Sequence, residues 1–198
     1  QLIANGSPGE AVAAAEQTVS RYPGSADMRM LAGDANMAAG AYGRALDHYS
    51  LTADVRYPPM MLERMAAALV LSGQADKADT LVRNYLWEHP MDGNVAAMAA
   101  DFTARKGRAG EARRLYKRAF LLGDAAYDPD SLSAYAMLTL RGGDAKLARS
   151  YALKAYRMQR ANGRSALVAG KVLRQSDGAN SAVAQALLAK AAHYGIGN

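Results

Sequence analysis

The sequence predicts an all-α fold of helix hairpins stacked in series, and three observations predict it. A glycine followed five residues later by an alanine recurs about every 34 residues. Alanine, the strongest helix former, supplies much of the 51% hydrophobic content, while aromatics are only 7%. Proline and a recurring turn glycine punctuate the apolar-periodic segments, as around 61–71, which holds neither residue and ends at Ser72-Gly73.

The recurring glycines are Gly6, Gly40, Gly73, Gly107 and Gly143, and the alanines are Ala11, Ala45, Ala78, Ala112 and Ala148. A sixth frame is read at Asp177 and Ala182, giving alanine spacings of 34, 33, 34, 36 and 34 residues. Two helices per period of this length indicate a solenoid of hairpins. One hairpin cannot bury its apolar face alone, so each depends on its neighbours. A core built on alanine also demands close approach of helix to helix.

Residues 1–23 hold a turn and one helix, a half repeat at the start. Five helix-turn-helix units follow over about 26–58, 59–92, 93–128, 129–162 and 163–194, all within a single domain, 1–198. The unit from Pro59 shows the logic. Its first helix carries Leu62, Met65, Ala66 and Leu69 at helical spacing and ends at Gly73, placed for the left-handed conformation that closes a helix. The second helix, from about Ala75 to Trp87, sets Ala78, Leu81, Val82 and Tyr85 on one face, and Pro90 stops it. Asp76 and Asp79 are read as facing solvent. Trp87, the one tryptophan, is expected to pack between units. Gly123 to Pro129 is the longest interruption and is expected to kink the stack. Gly195 to Asn198 reads as a frayed end.

These residues resemble the tetratricopeptide repeat over nearly the whole chain. Its small pair late in the first helix is matched by Ala32-Gly33, Met65-Ala66, Ala99-Ala100 and Ala169-Gly170. The second-helix pattern is matched by Ala45 with Tyr49, Ala78 with Val82, Ala112 with Tyr116 and Ala119, and Ala148 with Ala152 and Ala155. Closing prolines stand at Pro23, Pro58 and Pro90; none follows Leu122 or Gln159. The resemblance implies an α-α superhelix whose concave groove, lined mainly by first helices, binds a peptide or protein segment. Carried over position by position, the groove residues are Asp27, Met30, Asp34, Met37, Met60, Glu63, Val70, Asn94, Asp101, Arg105, Asp130, Ser133, Met137, Arg141, Arg164, Lys171 and Arg174. The branch of the family that clamps a C-terminal carboxylate needs Lys, Asn and Arg where this chain has Met30, Asp34, Glu63 and Ala67, so a chaperone-tail role is not expected.

Charge separates the two ends. Residues 1–100 hold 7 Lys and Arg against 11 Asp and Glu, while the remainder holds 17 against 7. The densest basic cluster is Arg105, Lys106, Arg108, Arg113, Arg114, Lys117 and Arg118. It supports an alternative reading, a polyanion binder that takes nucleic acid or acidic polysaccharide through the C-terminal half. Few aromatics interleave with the cations, so nucleic acid is not the expected partner.

The absence of cysteine excludes disulfides and thiolate chemistry. His48, His89 and His193 are isolated, and no nucleophile elbow or phosphate-binding glycine loop occurs. No catalytic role, cofactor or metal is expected. The composition and the start at Gln1, read as a trimmed or processed product, suit a bacterial protein, periplasmic or cytoplasmic, and the family resemblance implies a place in an envelope or secretion assembly. The expectation is therefore a protein-binding scaffold.

Overall fold

The computed structural model describes residues 7–53, 59–178 and 181–196. Among these residues the chain is helical with no strand. The helices are α1 Pro8–Arg21, α2 Ala26–Ala38, α3 Tyr42–Ala53, α4 Pro59–Leu71, α5 Ala75–Glu88, α6 Gly93–Arg105, α7 Ala109–Leu122, α8 Pro129–Arg141, α9 Ala145–Met158, α10 Gly163–Ser176 and α11 Ala182–His193. They fall in two compact units, Gln1–Glu88 and His89–Asn198. No helix among the described residues is long and apolar enough to cross a membrane.

The starts of four first helices, α2, α6, α8 and α10, are fixed by short polar caps. Ser25, Asp92, Asp128 and Asn162 accept from backbone N–H groups of Met28, Val95, Ser131 and Ser165 at 3.3, 3.0, 2.8 and 3.0 Å. Four first helices, α2, α4, α6 and α8, end in one shared turn. The N–H groups of Ala41, Gln74, Arg108 and Asp144 each reach back five residues, to the carbonyls of Asn36, Leu69, Thr103 and Thr139. The residue before each of these donors is a glycine at φ between +74° and +87°. The recurring glycine is thus the left-handed residue of a repeated helix-closing motif. Gly6 and Pro58 lie outside the described residues.

In the first unit, α1 packs on α2, α2 on α3, α3 on α4 and α4 on α5. Ala45, Tyr49, Met61 and Ala68 form one core cluster, and Ala11, Ala15, Ala32 and Ala35 another. Asn36 is buried where α1 to α3 meet, and its amide donates to Ala32 O at 2.9 Å and to Glu16 Oε1 at 3.2 Å. The same Glu16 oxygen lies 2.8 Å from His48 Nε2. That hydrogen bond, chiefly, holds the Glu16 carboxyl below the usual range against the opposing effect of burial.

In the second unit, α6 pairs with α7, α8 with α9 and α10 with α11, and α10 also packs on α8 and α9. Its main cluster runs from Ala136 and Leu140 through Ala148, Ala152, Ala169 and Val172 to Ala184 and Leu187. Thr103 and Thr139 are buried by returning their hydroxyls to the carbonyls four residues earlier, at 2.6 and 2.8 Å. The expected interruption after Gly123 is a short 3-10 turn, Asp124–Tyr127, whose Ala125 is buried.

Four sequence expectations are corrected. The sixth alanine is Ala184, which is buried, and not Ala182, which is exposed; the turn glycine there is Gly178, at φ +96°. The longer loop before α11 shifts the frame by two residues. Asp79 does not face solvent: it is 4% exposed, and Arg83 Nε donates to it at 2.8 Å. Trp87 is 87% exposed, so its ring belongs to no core. Gly195 and Ile196 are not frayed. Gly195, at φ +71°, lets Ile196 N–H bond Ala191 O at 3.0 Å, the same closing turn again.

Candidate functional site

Each unit carries its own candidate surface, the outward side of its first helices: α2 and α4 in the first unit, and α6, α8 and α10 in the second. Register explains the exposure. Counting from the small residues Gly33, Ala66, Ala100, Ala136 and Gly170, the positions six earlier are Asp27, Met60, Asn94, Asp130 and Arg164, and all five are exposed. The positions five later, which include Arg105 and Arg141, are exposed as well. Small residues sit between these two rows because second-helix side chains press against them. A Cβ on Gly33 would stand 2.3 Å from the Tyr49 ring, and one on Gly170 2.8 Å from Leu188 Cγ.

In the first unit the sequence-derived residues divide by environment. Asp27 and Glu63 are exposed. Met30 and Met37 are half-buried and pack against the Tyr49 and Met61 core, so only part of each side chain is available. Asp34 is already engaged. Tyr49 Oη donates to its Oδ1 at 2.7 Å, and the Arg64 guanidinium grips both oxygens at 2.7 and 3.1 Å. The fork geometry is the strong form of a carboxylate pair. Burial, aided by the neighbouring Asp34, pushes the Tyr49 hydroxyl well above its ordinary range, while the hydrogen bond to Asp34 raises Arg64. Sequence reading did not identify Arg64 as the partner of Asp34.

In the second unit Asn94, Arg105, Arg141, Arg164, Lys171 and Arg174 are exposed. Arg105, Arg141, Lys171 and Arg174 form no ion pair with any described residue, and Arg105 rests over the Phe102 ring at 5.9 Å. Arg164 stands 4.0 Å from Asp130, the outer limit of an ion pair. Met137 is half-buried against the main core, and Ser133 is fully buried, facing Ser165 Oγ at 3.3 Å. Ser133 therefore stitches α8 to α10 and is not a surface residue. Asp101 accepts a hydrogen bond from Tyr116 Oη, and burial lifts its carboxyl above the usual range against the lowering effects of Tyr116, Arg164 and Arg105. Tyr116 is likewise pushed up by burial.

The two tyrosine–aspartate pairs share one spacing, 15 residues. Val82, Ala152 and Leu188 stand at the tyrosine register elsewhere, and Ala67, Met137 and Lys171 at the aspartate register. Tyrosine and aspartate thus occur together or not at all, a signal the sequence carried without any alignment.

No family model matches the chain, and no curated protein is similar to it. Solved structures are. The C-terminal part of a TPR repeat-containing protein from Cytophaga hutchinsonii superposes with a TM-score of 0.66 over 97% of this chain and 76% of that one, at 12% identity. YrrB, described as a TPR protein with an unusual peptide-binding site, gives 0.60 over 91% of each chain at 15% identity. Pseudomonas aeruginosa pilF gives 0.71 over 87% of this chain and 78% of that one, at 18% identity. At such identities the likeness speaks for architecture alone. Together with the paired helices and the repeated glycine-closed turn, it shows that this chain has the all-α helical-repeat fold of the tetratricopeptide proteins.

Proposed function

We propose that the protein is an interaction scaffold that receives a peptide or protein segment along the outward side of its first helices. The single observation that carries this reading is the set of uncompensated cations there. Arg105, Arg141, Lys171 and Arg174 are exposed, belong to the first-helix register and have no ion-pair partner among the described residues. Their surface asks for a segment with acidic side chains, held by several partly desolvated contacts rather than by one pocket. Asp27, Met60 and Glu63 give the first unit a different surface, acidic and apolar. Membership of an envelope or secretion assembly, and action of residues 1–198 as one array, extend the same proposal.

Peptide selection with site-specific photocrosslinking tests it. A crosslinking residue placed at 94, 105, 141 or 174 is expected to capture selected acidic peptides, and Arg174→Glu to weaken them about tenfold. Crosslinks confined to second-helix positions such as 114 or 157 would overturn the reading. Asp34→Arg is a poor probe, because Asp34 holds Tyr49 and Arg64 in place.

A further inference from the structure

The second unit also holds a feature the scaffold reading does not use. A cleft of about 310 Å³ opens among α7, α8 and the start of α9. Its lining includes Arg113, Arg114 and Lys117 from α7, Tyr135 and Thr139 from α8, and Asp144 and Leu147 at the start of α9. Tyr135 sits in an aromatic cluster. Tyr135 meets Tyr151 edge to face at 4.7 Å and Phe120 at 5.4 Å, and Phe120 stacks on Tyr151 at 5.7 Å.

The charge in this cleft is unbalanced. None of the three cations forms an ion pair with a described residue. Among the described residues that line it the one carboxylate is Asp144, which accepts from Leu147 N–H at 2.9 Å to cap α9. Three cations against one anion leave two positive charges around one small volume. Gly142 contributes as well. A Cβ there would stand 2.4 Å from Arg113 Nη1, so the bare backbone lets that guanidinium lie across the turn.

We propose that this cleft binds a phosphate monoester. Its dianion matches the two uncompensated charges, and its three terminal oxygens suit two guanidinium forks and an ammonium. The volume falls within the range of small-ligand pockets and exceeds a phosphate group, which leaves room for the carrier. A nucleic-acid strand fits less well, because the three cations lie within about one turn of α7 rather than along an extended track. A phosphorylated side chain of a partner and a free phosphorylated small molecule present the same group.

Calorimetric titration of the whole chain with phenyl phosphate, phenyl sulfate and a phosphoserine peptide tests this. Phenyl phosphate is expected to saturate with Kd below about 1 mM, and to bind more tightly at pH 7 than at pH 5, as its second proton leaves near pH 6. Arg114→Glu and Lys117→Glu should each weaken it about tenfold or more. Asp144→Asn keeps a capping side chain and should tighten it. Gly142→Ala should weaken it without unfolding the protein, since Gly142 has φ −80°. A phosphopeptide that binds more tightly than phenyl phosphate identifies a protein source, and equal affinity a small-molecule source. The proposal fails if binding does not saturate, if phenyl sulfate binds equally well, or if Arg157→Glu, the same charge change outside the cleft, costs as much as Lys117→Glu.

Discussion

Two tyrosine–aspartate pairs of identical spacing meet different surroundings. Asp34 in the first unit receives Tyr49 and both donors of Arg64, a fork that ties α2 to α4. Asp101 in the second unit receives the Tyr116 hydroxyl, while Arg105 and Arg164 act on it from a distance. The register of Arg64 is filled by Ala134 there. One repeat position therefore serves as a fastened structural joint in one unit and as a desolvated, under-compensated acid in the other. A carboxylate in a repeat cannot be read as a binding group until its own neighbours are known.

The largest effect tests how tightly the first pair is built. Gly33→Ala places a methyl group against the buried Tyr49 ring and is expected to destabilise the first unit by about 1–3 kcal/mol, read by chemical denaturation. The second unit already holds Ala100 at this register, so Ala100→Gly should cost about 1 kcal/mol, through helix propensity. Equal and opposite effects of the two changes would erase the distinction between the units.

Asp34→Ala leaves the Tyr49 hydroxyl and the Arg64 guanidinium without their acceptor and should cost about 1–2 kcal/mol. Half-exposure of the ion pair keeps its share small. Arg64→Ala added to it should cost little more, because the two groups form one unit. Additive losses in a double-mutant cycle would break the joint interpretation.

The smallest effects are set by pH, and they have opposite signs in the two units. Asp101 has a raised carboxyl pKa in the folded chain, so the folded form binds its proton more tightly than the unfolded form. Its contribution is best below the ordinary aspartate range and worsens as pH rises through the raised value. Asp101→Asn keeps an acceptor for Tyr116 and should remove that loss, giving a small gain at neutral pH. Glu16 has a lowered pKa, so the stability it confers is present above the ordinary glutamate range and disappears as pH falls through the lowered value. Glu16→Gln should flatten that acid limb. Denaturation from pH 3 to pH 7 reads both, and limbs of the same sign would contradict the assignment.

Turns and small residues were the legible part of the fold. The glycine-to-alanine offset is a backbone requirement repeated by the turn itself, so it survives as a sequence pattern at Gly40, Gly73, Gly107 and Gly143. It misled at Ala182 because a longer loop moved the frame, and burial at Ala184 follows packing rather than spacing. The first-helix register of Asn94, Arg105, Arg164 and Arg174 was also legible, because helical period alone sets which side faces out. Partners were not. Arg64 lies 30 residues from Asp34, and Glu16 lies 32 from His48. Such pairings depend on how hairpins meet, which period cannot specify. The cleft beside Lys117 was visible only as a basic cluster, since a cavity is a property of three helices together.

Trp87 has a practical consequence. It is the sole indole of the chain, and its ring stands in water. Its fluorescence should already be red-shifted in the native protein and change little on denaturation, so it makes a poor reporter of folding. The same property makes it a clean optical sensor of docking: a blue shift marks whatever covers the end of α5.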